Sequence, residues 1–256
     1  RKIINKKKMI NIIDVEFKFS KIFDKITDKS NEYISESFII ANNLLKNKKA
    51  YALINGPISK KNFLKNKYLG ITEYLSNMNN IKNFAMLIYN KNFSVSPITT
   101  HIAIKKVSSQ ISKKKIINQV YLIKKFYNSI FKKNVNIAIT GLNPHCESNF
   151  KNSEEKKVIC PAITYLKKRK YKIEGPLPAD SLFMKENINK FDVVIGMYHD
   201  QVLTPIKTIH NFEAINITLG LPYLRVSPDH GTNNQMLGKN KSNPASLISA
   251  IRFLTS

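Results

Sequence analysis

"FDVVIGMYHDQ", residues 191–201, is the stretch on which the reading of this chain turns. Val193, Val194 and Ile195 form a β-branched run suited to a buried strand, and the run stops at His199 and Asp200. Two ionisable groups at a strand exit suggest chemistry at the carboxyl end of a strand, where open α/β sheets hold their ligands. Similar short apolar runs recur as "YALING" (51–56), "FAMLIY" (84–89), "VNIAITG" (135–141) and "AINITLG" (214–220). Helical patterns lie between them. Residues 112–131 place Ile116, Val120, Ile123 and Phe126 on one face. Residues 153–168 open with Ser153 as a cap and with Glu154 and Glu155 in the first turn, and "NPASLISAIRFL" reads as a helix from Pro244. Strands alternating with helices predict an α/β fold, a mostly parallel sheet covered on both faces. Three exits, "NGPISK", "GLNPHC" and "HDQ", are expected to carry polar groups to one sheet edge.

Composition narrows the class. The 256 residues, 43% hydrophobic, suffice for one large α/β domain or one domain in two lobes. No apolar run approaches the roughly 20 residues that span a bilayer, so no membrane partner is expected. The basic start "RKIINKKKMINIID" is not followed by a signal-type apolar segment, and the absence of an initiator Met suggests a fragment. Cys146 and Cys160 show neither metal-type nor disulfide-type spacing, which fits a reducing cytoplasm. The formal charge of +25 raises nucleic-acid binding as an alternative. The lysines are spread through every segment, however, and no helix-turn-helix, zinc-finger or RNA-binding signature accompanies them, so no specific nucleic-acid partner is expected.

His101, His145 and His199 each follow an apolar segment. Three imidazoles converging from separate loops would make an open divalent-metal site; the plain alternative is three ordinary loop histidines. No G-x-G-x-x-G, G-x-x-x-x-G-K-[ST] or G-x-S-x-G occurs, which disfavours a Rossmann dinucleotide site, a P-loop and a common α/β hydrolase elbow.

Eight segments then stand in order: "INGPISK", "GITEYL", "TTHIAIKKV", "GLNPHCE", "GPLPADSLF", "MYHDQVLTPIK", "NITLGLPYLRVSPDHGT" and "NPASLISAI". Together they resemble the 4-hydroxythreonine-4-phosphate dehydrogenase family, from about Ala50 to the C-terminus. The family's N-terminal Gly/Pro-rich segment is missing. The resemblance implies an isocitrate/isopropylmalate-dehydrogenase-like three-layer sandwich, with residues 1–256 as a single two-lobed domain, N-terminally incomplete. It also implies a homodimer with the active site in a cleft near the interface. By the same resemblance His101, His145 and His199 hold one divalent cation (Zn, Mg, Co or Mn), while Thr72, Lys207, Asn216 and Arg225 bind a small phosphorylated substrate.

The resemblance further implies NAD- or NADP-dependent oxidation of 4-phosphooxy-L-threonine, with decarboxylation of the product, in pyridoxine 5'-phosphate biosynthesis. A related phosphorylated four-carbon acid, threonate or erythronate phosphate, is the alternative substrate. Asp180, Asp200 and Lys207 are the catalytic candidates. Either aspartate could be the general base or could orient a metal-bound imidazole, and for Asp200 the orienting role is favoured, on the ground that adjacent residues of an extended chain point apart. "DHGTNNQMLGKNKSNP" resembles the adenosine loop of the wider isocitrate and isopropylmalate dehydrogenase group, which assigns His230, Gly231, Asn243 and Pro244 to the cofactor; a turn capping the last helix is the simpler reading. Two departures stand out. Ile71 replaces the family's histidine, which implies a lost substrate contact that Lys60, Lys61 or Lys65 could replace and that Ile71→His would restore. The usually glycine-rich loop after His145 reads "CESNFKNSEE" here.

Overall fold

The chain is described by a computed structural model over residues 10–24, 26–65, 67–146, 152–211 and 213–255. Most of the departing loop after His145, residues 147–151, lies outside them, as do residues 1–9 at the basic start. The strands are β1 (Ala52–Ile54), β2 (Ala85–Tyr89), β3 (Ser94–Thr99), β4 (Ile137–Thr140), β5 (Ile173–Leu177), β6 (Val193–Tyr198), β7 (Ile215–Leu219) and β8 (Leu224–Pro228). The helices are α1 (Asn31–Lys46), α2 (Lys60–Phe63), α3 (Ile71–Met78), α4 (Val107–Gln110) and α5 (Lys113–Phe131). They continue with α6 (Cys160–Lys168), α7 (Ala179–Leu182), α8 (Lys185–Ile188), α9 (His199–His210) and α10 (Ala245–Thr255). The cap read from sequence, Ser153, is present, and Ser112 and Asn243 cap the other two helical stretches. The Ser112 hydroxyl accepts from Lys115 N, the Ser153 hydroxyl accepts from Lys156 N, and Asn243 Oδ1 accepts from Ala245 N.

Period-two alternation divides the strand side chains between two apolar layers. Leu87, Ile137, Ile139, Val193, Ile195 and Met197 pack with Ile116, Val120 and Ile123 of α5, Ile163 of α6 and Ala250 of α10. Their strand neighbours Met86, Ile88, Ala138 and Val194 face the other way, against Val202, Leu203 and Ile206 of α9. Helices, sheet and helices thus make the three layers expected. A third, smaller cluster joins Phe38 of α1 to Ile71 and Leu75 of α3.

The eight strands run in the order β1-β8-β7-β2-β3-β6-β4-β5. β1–β8, β3–β6, β6–β4 and β4–β5 are parallel, whereas β8–β7, β7–β2 and β2–β3 are antiparallel. Following these pairings, β1 runs opposite to β4 and β6. The expected gathering of three strand exits on one edge is therefore corrected: polar groups meet across a sheet face instead. β3, β5 and β8 carry Ser, Pro, Glu and Arg inside the strand, which hides their pattern from a search for apolar runs. In β3 the hydroxyls are used internally: Ser96 accepts from Gln119 Nε2 at 2.8 Å and donates to the Met86 carbonyl at 2.6 Å.

The strand-to-helix passage at residues 196–201 is tight. A Cβ on Gly196 would come within 2.4 Å of Val202 Cγ1, so this glycine lets α9 lie against its own strand. Gln201 ties the corner: Oε1 accepts from Met197 N at 2.7 Å and from the Thr140 hydroxyl at 2.9 Å, while Nε2 donates to the Gly141 carbonyl at 2.8 Å. Gln201→Ala is expected to cost about 1–3 kcal/mol in urea unfolding, because it strands these partners away from water. A loss below about 0.5 kcal/mol, the level of an ordinary surface change, would contradict this role.

Candidate active site

Residues two apart on a strand share a face, and that rule builds the floor of the site. Asn216 and Thr218 lie two apart on β7, Arg225 and Ser227 two apart on β8, and the register sets Thr218 opposite Arg225 and Asn216 opposite Ser227. Four polar side chains thus occupy one patch, while the intervening Ile217 and Val226 enter the apolar core. Arg225 is 3% exposed. Its Nε donates to Asn55 Oδ1 at 2.8 Å and its Nη1 to the Thr218 hydroxyl at 3.0 Å, and Thr218 meets the Thr72 hydroxyl at 3.2 Å. Burial pulls the guanidinium pKa down to about 10, opposed by Tyr223 and Glu73, so it stays charged at neutral pH. Among the described residues no carboxylate lies within ion-pair distance of it. Asn216 Oδ1 is buried and has no hydrogen-bond partner among the described residues.

Above this floor stand two imidazoles. The rings of His101, after β3, and His199 lie 5.4 Å apart between centroids. "HDQ" is not the end of a strand: Tyr198 is the N-cap and His199 begins α9. Asp200 Oδ1 meets His199 Nδ1 at 2.6 Å. The adjacent pair is in contact because it lies in a helical first turn, which corrects the extended geometry assumed from sequence. Burial, then Lys60, then His199 lower the His101 pKa to about 4, leaving a neutral imidazole with a lone pair to offer. Lys60 Nζ lies 3.1 Å from His101 Nε2, and its own pKa is lowered by burial against the opposing charge of Glu73.

A cleft of about 540 Å³ unites these groups: Thr72, His101, His199, Lys207, Asn216, Arg225, His230 and Gly231 all line it. Lys207 Nζ pairs with Asp229 Oδ2 at 2.9 Å and donates to the Asp229 carbonyl at 3.2 Å; burial raises the Asp229 pKa and Lys207 opposes that shift. A Cβ on Gly231 would meet nothing within 4 Å, so the backbone there is open to a ligand. Ile71 also borders the cleft, but it is 9% exposed and packs with Phe38, Leu64 and Leu75. Of the three lysines upstream of it, Lys60 lines the cleft, whereas Lys65 pairs with Asp28 at 2.8 Å.

Other expected residues stand apart. His145 does not line the cleft; its Nδ1 lies 3.8 Å from Asp180 Oδ2, with both side chains largely exposed. Its loop is clamped by Glu155, whose Oε1 accepts from Leu142 N and Asn143 N, both at 2.8 Å. Among the described residues, no three His, Cys, Asp or Glu side chains converge as a metal cluster. Asp180 and Asp200 are also outside the cleft lining, and Asn243 caps α10. Sequence reading assigned no role to Asn55, Glu73 and Asp229, although each lies inside a quoted motif.

Comparison with known proteins follows the same lines. The family model described as pyridoxal phosphate biosynthetic protein PdxA matches residues 1–254. A 4-hydroxythreonine-4-phosphate dehydrogenase of Sulfurihydrogenibium sp. (strain YO3AOP1) is 40% identical over 252 residues, covering 96% of this chain and 76% of that protein. A protein of Oceanobacillus iheyensis, provisionally named D-threonate 4-phosphate dehydrogenase, is 31% identical over 246 residues, covering 94% and 73% respectively. The solved structure of a 4-hydroxythreonine-4-phosphate dehydrogenase from Klebsiella pneumoniae has a TM-score of 0.78 and 27% identity, covering 90% of this chain and 72% of that one.

Asn55→Ala removes the acceptor that fixes Arg225 Nε. A buried charged donor left without its partner costs about 1–3 kcal/mol, and urea unfolding is expected to show a loss in that range. Unchanged stability would mean that Asn55 does not hold the guanidinium.

Proposed function

The chain belongs to the pyridoxal phosphate biosynthetic protein PdxA family, and on that footing we propose that it is an NAD-linked, divalent-metal-dependent dehydrogenase acting on the secondary alcohol of 4-phosphooxy-L-threonine. The supporting observation is Arg225: a buried guanidinium without a carboxylate partner, lining a cleft beside two facing imidazoles. Burying an unpaired charge is costly, and an anionic ligand offsets that cost. A guanidinium can grip a phosphate or carboxylate with two parallel hydrogen bonds. Lys207, held by Asp229, offers a second cation, and Asn216 Oδ1 an unused acceptor for a hydroxyl or amine.

The donor set fits a metal in part. His101 and His199 would hold it, His101 as neutral imidazole, with Asp200 orienting His199 through Nδ1. The third expected ligand, His145, lies outside this cleft. In the proposed homodimer it would come from a second copy of the chain. His230 and Gly231, at the open backbone of the cleft, would meet the dinucleotide. When bound, the divalent ion lowers the alcohol pKa and the nicotinamide accepts the hydride. The protein's part is to fix the two anionic ends of the substrate and to hold the carbinol carbon in one orientation. The oxidised product, 2-amino-3-oxo-4-phosphooxybutanoate, is a β-keto acid, which loses CO2 to give 3-amino-2-oxopropyl phosphate. A threonate or erythronate phosphate remains the second reading, favoured by the name of the Oceanobacillus relative.

Two measurements test this. NADH formation with 4-phosphooxy-L-threonine is expected to exceed that with the threonate phosphate and to stop on metal chelation. Preference for the threonate compound selects the second reading, and turnover of neither overturns both. The placement of His145 has its own test. His101→Ala and His145→Ala chains are each expected to be inactive and, once mixed and reassembled, to recover part of the activity, since a mixed dimer keeps one intact shared site. No recovery would contradict a shared site.

A further inference from the structure

Two carboxylates line the cleft, and they are differently employed. Asp229 is ion-paired with Lys207 at 2.9 Å. Among the described residues Glu73, in the first turn of α3 next to Thr72, has no partner within ion-pair distance, although its charge acts on Lys60 and Arg225, and its Oε2 is buried without a hydrogen-bond partner. Oε1 has only a long contact, 3.5 Å from the Thr100 hydroxyl. Glu73 and His101 border the cleft on either side of Gly70: a Cβ built on that glycine would lie 2.9 Å from Glu73 Oε2 and 3.6 Å from His101 Cε1. A carboxylate oxygen buried without a donor is costly, and a cationic donor on a ligand is what satisfies it best. Other groups of the site, Arg225 and Lys207, are donors suited to anions.

We propose that Glu73 is the specificity residue for the ammonium group of the substrate, and so the group by which this chain tells an amino acid phosphate from the corresponding hydroxy acid phosphate. The inference rests on the dehydrogenase reading above for its ligand, while its geometry stands on the orphaned oxygen. An ammonium at that oxygen makes a charge-assisted hydrogen bond, whereas a hydroxyl in its place makes only a neutral-donor one. The difference is worth about five- to tenfold in affinity.

Calorimetry on the wild type and on Glu73→Gln and Glu73→Asp tests this, with 4-phosphooxy-L-threonine and its 2-hydroxy counterpart of the same configuration as ligands. The wild type is expected to bind the amino compound about five- to tenfold more tightly. Glu73→Gln should abolish that preference by weakening the amino compound alone, and Glu73→Asp, which keeps the charge, should restore part of it. A wild type without preference, a preference unchanged in Glu73→Gln, or an equal loss for both ligands would overturn the assignment. If Glu73→Gln does not fold, Glu73→Asp decides: a reduced preference supports the assignment and an undiminished one overturns it. A chain whose preference is lost in the Glu73 variant but which produces no NADH overturns the dehydrogenase reading and leaves Glu73 assigned; a chain that binds neither compound overturns both.

Discussion

A single buried charge organises the site. Arg225 sits almost fully inside the protein, on a strand where a side chain of that size would ordinarily be apolar. Its neighbours are neutral oxygens, Asn55 Oδ1 and the Thr218 hydroxyl, which satisfy two donors but do not cancel the charge. Those two partners come from the end of β1 and from β7, and Thr218 passes the contact to Thr72 on α3. Four segments, two of them the successive strands β7 and β8, are held together around one guanidinium. The same arrangement leaves positive potential in the cleft, which is how structure becomes function in this reading: the cost of burying the charge is offset when an anionic ligand arrives.

Much of the scaffold was legible because it obeys simple periods. The five apolar runs all became strands, and the cap at Ser153 is where the sequence placed it. β3 and β8 escaped notice for a physical reason: their Ser, Pro and Arg residues are satisfied by partners that lie far along the chain, such as Gln119 for Ser96 and Asn55 for Arg225. Strand direction was also beyond the sequence. Alternating strands and helices suggest parallel pairing, yet β7 and β2 each run antiparallel to both neighbours and reverse the sense of the sheet.

The site shows the same division. Motif resemblance brought Thr72, His101, His199, Lys207, Asn216 and Arg225 to the page, and all six line one cleft. Two residues that position them, Asn55 for Arg225 and Asp229 for Lys207, were not singled out, because their value lies in which atom each one contacts. Ile71, where the resemblance implies a lost or replaced substrate contact, borders the cleft and also closes a small apolar cluster between α1 and α3, a packing role that the motif does not reveal. The net charge of +25 is spread along the whole chain, and the charged groups that shape this cleft are few and specifically held.

The central claim, that Arg225 is a buried charge awaiting an anion, is tested most directly by ligand-induced stabilisation. Urea unfolding of the wild type and of Arg225→Met is measured with and without 4-phosphooxy-L-threonine. At a hundredfold excess over Kd, a ligand bound only by the folded state stabilises it by about 2.7 kcal/mol. The account predicts that shift for the wild type and almost none for Arg225→Met at the same concentration. Equal stabilisation of both proteins would contradict it.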